Sequence, residues 1–590
     1  MIAYHIFPLN THRHLLRVQL SFYNKNNEIA EIYLPNWTAG SYMIRDFCRH
    51  IVSISAACDE KMYLLQQTHK NRWQIPPVQG AWTIEYTVYA FDLSVRGAFF
   101  DHQRLFFDGA AVLMGVDGRE KEACEIAFRL PENTQAFMAL PQNANGVFHA
   151  DNYPALLDAP FVANGVSGCL KRLSFTACNI PHHIILSGEY EYLDEKRLTE
   201  DVAKICTQHI EIFGKAPFSE YTFILHMTDN EYGGLEHKNS SSLIASRRCL
   251  PSLRYGNNRD DYIVLLGLFS HEYFHAWNIK SIKPAVFKTY DLQQEVYTKQ
   301  LWAYEGITSY YDDLALVKSG VISYSEYLYL LLKNTDRVYS QAGRKVQSIA
   351  QSSFEAWSKY YKQNENSPNA ISSYYQKGAL VALCLDLTIR QKTDNQQSLD
   401  DVMRLFFNQF LQGNGLTADN DWQKACEKVS GCLLDDFFQK YIYGVDELPF
   451  NELFNSVGLA LRFQAARQVI LCDEFPPEMY RIDLGAKLEN TADGKIIRHI
   501  ADNSLAEDAG LAVGDKIIAV NHCGISEWEG VWQQIAVNDT LTIHFFRQNR
   551  LKTAQVSVQA QHYEKHAVLK VFDKNKAQQW LSNSISGSLK

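Results

Sequence analysis

No apolar run in the 590 residues is long enough to cross a bilayer, and the best of them, residues 262–270, gives way to charged groups. The opening stretch from Met1 to Pro8 has no basic start, apolar core and small-residue cleavage site, so no targeting segment is read there and a cytoplasmic location is expected. Positive charge is scarce too. With Lys+Arg 57 against Asp+Glu 66, the net charge is −9, without the basic footprint that nucleic acid requires. The twelve cysteines contain no Cys-x-x-Cys pair and no regular spacing, which argues against a disulfide framework or a structural zinc cluster and for buried free thiols. What remains is an ordinary globular composition, 46% hydrophobic and 21% charged, on a chain long enough for three or four domains.

Residues 5–178 alternate with period two, as in 15–22, 82–89 and 125–130, between Asn, Gly and Pro turns. This pattern predicts an antiparallel β-sandwich over 1–178. Arg45 and Arg96, beside Tyr42 and Phe99, either pack on that domain or reach the edge of an active cleft. From about Leu198 the period turns helical: an amphipathic helix over 199–213, a strand over 222–227, and further helices beginning near Ser323, Tyr375, Ser398, Asp419 and Leu433. Ser323 and Glu326 have the reciprocal capping pattern. A boundary near 443–450 closes a mostly helical domain over 179–455. Strands return over 456–572, and a polar tail occupies 573–590. The fold class is multidomain α+β.

The chemistry concentrates at His271-Glu272-Tyr273-Phe274-His275. Histidines four apart share one helical face, the arrangement that offers two imidazoles to zinc while the intervening glutamate faces the metal's water. Asp260 and Asp261 are the expected capping acids of this helix. A hydrolytic zinc needs a third protein ligand and an open position. Glu305, on a predicted helix from Leu301 towards Gly320, is preferred to Glu295, which has no recognisable helix around it. Asp312, two turns along that helix, is suited to accept the outer ring N–H of a ligating histidine, whereas Asp313 reads as a solvated acid.

The set His271-Glu-x-x-His275, Trp302-x-x-Glu305-Gly306 and Tyr375-x-Lys377-Gly378 resembles the gluzincin aminopeptidases. Gly233-Gly234-Leu235-Glu236-His237 partly matches that clan's amine-gripping segment, with His237 where the clan has asparagine. Residues 34–45 and a C-terminal module narrow the resemblance to the PDZ-containing glycyl aminopeptidases, over nearly the whole chain. Residues 484–488, 494–500, 509–521 and 541–546 look like a bacterial-type PDZ domain, with Leu484, Gly485 and Ala486 as the loop whose N–H groups would face a peptide carboxylate.

The resemblance implies a thermolysin-like catalytic domain with one Zn2+ per chain on His271, His275 and Glu305. It also implies Glu272 as general base, Tyr375 as oxyanion donor with Tyr374 as its rival, and Glu236, Gly233 and Gly234 at the substrate's amine. The implied activity is removal of N-terminal residues, small ones such as glycine or alanine, from peptide substrates. Two alternatives stay open: a zinc endopeptidase on the same site, and a non-catalytic adaptor whose PDZ groove binds C-terminal peptides.

Overall fold

The structure is a computed structural model that describes residues 1–25, 27–254 and 258–582. The chain divides into two compact units, one of Met1–Tyr297 with Ser319–Val321 and Phe406–Thr417, the other of Thr298–Lys318, Ile322–Leu405 and Ala418–Lys590. The helical domain expected over 179–455 is therefore shared between them. His271 and His275 fall in the first unit, Glu305 and Tyr375 in the second.

In the first unit a seven-stranded sheet carries the alternating segments read from sequence, with Leu15–Asn24 paired antiparallel to Ile2–Asn10 and to Gly80–Tyr89. Every second side chain of these strands enters one core containing Tyr4, Leu16, Trp82 and Tyr86. The sheet is not wholly antiparallel, since Ile2–Asn10 also pairs in parallel with Cys124–Phe128.

The expected boundary at 178 moves. Strands β1 (Leu170–Ala177) and β2 (Ile180–Ser187) alternate like the N-terminal strands, but they open a second sheet of five strands with β3 (Tyr221–Thr228), β4 (Gly233–Glu236) and β5 (Ser240–Ser246), in the order β1-β2-β3-β5-β4. The pairings β2–β3 and β3–β5 are parallel, and β4 returns antiparallel to become an edge. Helix α1 (Glu195–Phe213) starts on the Asp194 side chain and stops at Gly214. Helix α2 (Arg259–Phe274) carries the histidine pair. Its N-cap is Asn258, and Asp260 and Asp261 lie in its first turn, where their charges meet the positive end of the helix rather than cap it.

In the second unit, Trp302–Gly306 forms one π-helical turn that runs into α3 (Ile307–Lys318). Helix α4 (Tyr324–Tyr339) has the reciprocal cap expected at Ser323 and Glu326. Helix α5 (Gln376–Lys392) begins directly after Tyr375. A C-terminal sheet includes β6 (Ala486–Thr491) as an edge strand, paired with β7 (Gly494–Ile500), over a core containing Ile497, Ile517, Trp532 and Phe545. Strand β8 (Lys565–Val571) belongs to a separate three-stranded sheet. The expected polar tail is corrected over Lys574–Ser582, which forms α6: Ala577, Trp580 and Leu581 make one apolar face and are buried, with Trp580 edge-on to Tyr327. Residues 583–590 lie outside the described residues. Among the described residues no helix is long and apolar enough to cross a membrane.

Candidate active site

Helix α2 is apolar nearly all round because it is enclosed on most sides: Tyr262, Leu265, Leu266, Phe269 and Phe274 are buried. Buried polar contacts fix its rotation. His182 Nδ1 lies 2.8 Å from the Ile180 carbonyl, so that nitrogen donates and Nε2 accepts from the Tyr273 hydroxyl at 2.8 Å. Ser270 Oγ pairs with His209 Nε2 at 2.8 Å. Burial lowers the pKa of His182 to about 4 and of His209 to about 3, so both rings are neutral at pH 7.

On the functional face, His271 is half-buried and Glu272 and His275 are buried. His275 Nδ1 is 2.9 Å from the Asn278 carbonyl and must donate to it, so Nε2 is the nitrogen that carries the lone pair a metal takes. The chain then turns sharply at Ile279, at φ 127°, a conformation that costs a β-branched residue on the order of 1–3 kcal/mol. The next residue, Lys280, points its ammonium at Asp158.

Edge strand β4 supplies the other wall. Its register sets Gly234 opposite Leu243 and Glu236 opposite Ser241. A Cβ on Gly234 would overlap the carboxylate of Glu272, so glycine lets the strand's backbone lie directly against that acid. Arg96 Nη2 donates to the Gly234 carbonyl at 2.7 Å, which holds this arginine against strand β4. Arg45 instead donates to Ser41 within its own loop, at 2.8 Å. Glu236, Glu272 and His275 each bring a ligand atom within 4.8 Å of the others.

Three residues around Glu236 were missed by the sequence reading. Gly40, at φ 89°, has its Cα so close that an added Cβ would lie 2.5 Å from Glu236 Oε2, which gives the 34–45 segment a role. Asp158 accepts from Lys280 Nζ at 2.8 Å, from the Lys238 N–H at 3.1 Å and from His237 Nδ1 at 3.2 Å. Burial opposes the Asp158 charge, but Lys280 and His237 outweigh it and hold the pKa below the usual carboxylate range. Burial likewise opposes the Lys280 charge, and Asp158, followed by Glu236, raises its pKa above the ordinary value. A resident ammonium thus already feels the Glu236 charge. The departure at His237 has a physical reason, since its ring reaches the same aspartate.

Glu295 is half-buried in a loop whose neighbouring carbonyls, at Asp291 and Gln294, each accept from Trp37 Nε1 at 3.0 Å. Among the described residues it belongs to no group of ligating side chains.

In the second unit Glu305 is buried on the π-helical turn. The following Gly306 crosses α5 at Gly378: a Cβ on Gly306 would lie 2.7 Å from both Gly378 Cα and the Tyr374 carbonyl. These paired glycines bring the Glu305 turn against the head of α5. Tyr375 is half-buried there, its ring 5.6 Å from Tyr360 and 4.8 Å from Tyr374. Burial first, then the Glu305 charge, pushes its pKa well above the ordinary value, so its hydroxyl keeps its proton. Asp312 is half-buried on α3, and its Oδ1 accepts from the Asp313 N–H at 2.6 Å.

At the C-terminal sheet, the Leu484 and Gly485 carbonyls accept from Ala506 and Ala501, at 2.9 and 2.8 Å, ahead of β6. The Gly485 N–H faces the Asp483 carboxylate.

Comparison with known proteins adds the following. The family model described as M61 glycyl aminopeptidase matches residues 264–381, and the one described as the peptidase M61 N-terminal domain matches residues 3–164. The chain is similar to an aminopeptidase N family protein from Idiomarina loihiensis of known crystal structure, at 38% identity and a TM-score of 0.92, over 99% of this chain and 100% of that one. An M1 zinc metallopeptidase from Deinococcus radiodurans aligns at 12% identity with a TM-score of 0.47, over 76% of this chain and 95% of that one. No curated protein sequence matches.

Proposed function

The chain belongs to the M61 glycyl aminopeptidase family, and from that premise we propose that it is a zinc-dependent aminopeptidase releasing N-terminal residues, small ones such as glycine and alanine foremost, from peptides. His271, His275 and Glu305 would hold the metal. Two imidazoles four apart on one helix and a buried carboxylate are a donor set that suits zinc. The tautomer that Asn278 imposes on His275 fits the same assignment. Bound there, zinc would act as a Lewis acid that activates water for attack on the peptide carbonyl.

The chain's own groups divide the remaining work. Glu272 takes the proton of the attacking water and delivers it to the leaving amine. The Tyr375 hydroxyl, protonated at neutral pH, donates to the oxygen that becomes negative. Glu236 receives the substrate ammonium, with the Gly233–Gly234 backbone alongside and Lys280 setting the charge it must be shared with. Asp312 accepts the outer ring N–H of a ligating histidine.

The single observation that carries this reading is the convergence of Glu236, Glu272 and His275. The general base and a second carboxylate have ligand atoms within 4.8 Å of each other, so a group bound at Glu236 lies beside the base. Rates on aminoacyl reporters and on their N-acetylated forms test it. Acetylation should cut turnover sharply, because it removes the ammonium that Glu236 would receive and buries a neutral amide against a carboxylate. Efficient cleavage of the acetylated forms would replace the aminopeptidase with an endopeptidase on the same site.

For the C-terminal module we propose a PDZ groove on the open edge of β6, with Leu484, Gly485 and Ala486 at its head. The edge position of β6 supports it. Asp483 means that a ligand carboxylate competes with a resident one at Gly485.

A further inference from the structure

We propose that Asn369 is a positioning residue for Tyr375, tying the hydroxyl donor to strand β7 of the C-terminal sheet. The inference rests on the reading of Tyr375 as oxyanion donor. Ahead of Tyr375 the chain passes through one helical turn, Ser367–Ala370, and residues 499–502 at the end of β7 hold that turn at two points and the loop before it at a third. Asn369 Nδ2 donates to the Ile500 carbonyl at 2.8 Å, Asn369 Oδ1 accepts from the Asp502 N–H at 3.3 Å, and His499 Nδ1 donates to the Glu365 carbonyl at 2.8 Å. Asn369 is buried, and its amide serves this junction at both ends while Nδ2 also donates to Asn366 Oδ1 at 3.1 Å within its own loop.

From there to the tyrosine little slack is left. The Ile371 N–H donates to the Ser367 carbonyl at 2.9 Å, and the Ser372 N–H to Gln347 Oε1 at 2.9 Å. The Ser372 carbonyl accepts from Ser352 Oγ, and Ser373 Oγ pairs with the Tyr360 hydroxyl at 3.1 Å and accepts from the Gln376 N–H at 3.1 Å. Only five residues separate Asn369 from Tyr375, and hydrogen bonds hold most of them. A shift of β7 therefore reaches the tyrosine along a chain with few soft torsions.

The same rung of the sheet runs on into β6. Ile500, whose carbonyl Asn369 uses, is the ladder partner of Ala486, and the Ala501 N–H donates to the Gly485 carbonyl. A peptide that orders β6 at its head thus acts on the strand that holds Asn369, one strand spacing away. This gives the C-terminal module a part in turnover even for substrates too short to touch it.

The test uses the full, zinc-loaded chain and a free aminoacyl reporter, with Asn369→Ala, Tyr375→Phe and the double variant compared. Asn369→Ala should lower kcat about tenfold with KM within about twofold, since a small misplacement of a catalytic group is felt in the rate. In the Tyr375→Phe background it should cost nothing further, because the group it positions has gone. A purely structural asparagine would slow both backgrounds alike. His499→Ala, which removes only the Glu365 contact, should repeat the pattern more weakly and serves if Asn369→Ala does not fold. If Tyr375→Phe keeps full activity, the oxyanion reading falls and this inference with it. If Tyr375→Phe is slow while Asn369→Ala matches the parent, or slows both backgrounds equally, the oxyanion reading stands and this inference is overturned.

Discussion

Glycine brings functional groups close in two regions of this molecule, and it does so in opposite ways. At β4, Gly234 and the distant Gly40 let backbone lie against the carboxylates of Glu272 and Glu236. At the head of α5, Gly306 and Gly378 let backbone lie against backbone. At Gly234 an added methyl group meets the Glu272 side chain, which can swing away, whereas Gly40 at φ 89° would also strain its backbone. In the second region it meets main chain, which cannot move aside. Gly234 should therefore be sensitive in function and tolerant in stability, and the second region sensitive in both.

Metal and base set the scale for that contrast. Glu272→Gln should keep bound zinc and the parent melting temperature while losing on the order of 10²–10⁴ in kcat. Metal analysis beside a rate assay checks it, and a variant that unfolds would show that the acid holds the fold together. Gly234→Ala should come next, with an activity loss on the order of 10² because Glu272 is displaced from its working position, and with thermal stability almost unchanged. Unfolding of this variant would erase the distinction between the two regions.

Gly306→Ala tests the other side. Overpacking of a rigid crossing typically costs about 1–3 kcal/mol, so its melting temperature should fall together with its activity. Loss of activity alone would mean that α5 can shift after all. The smallest effect concerns pH and lies away from both glycine regions. His566 on β8 donates to Asp336 of α4 at 2.9 Å, and that bond, helped by Glu564, raises its pKa from 6.5 to about 9. The stabilisation is fully present below pH 6.5 and is lost as pH rises through about 9. The gap in melting temperature between the parent and His566→Ala should accordingly narrow between pH 6 and pH 10.

Local signals were legible in the sequence. The histidine pair, the Ser323–Glu326 cap and the period-two strands each declare themselves within a few residues, because helix and strand geometry repeat over that range. The same locality misled the reading at Asp260 and Asp261, which looked like caps although Asn258 takes that place, and at 170–187, where alternation cannot tell which sheet a strand joins. Gly40, Asp158 and Lys280 stayed hidden because what defines them is a meeting with Glu236 or with one another across long stretches of chain. A lysine five residues past His275 was the one visible hint.

The π-helical turn at Trp302–Gly306 sets the direction of a side chain as well as the path of the backbone. Such a turn holds one residue more than an α-helical turn. Removing that residue would not merely shorten the helix. With 3.6 residues per turn, every side chain on one flank would rotate by about 100° relative to the other, and Glu305 would no longer share a face with its present neighbours. The single extra residue of this turn therefore decides which face of the helix carries Glu305.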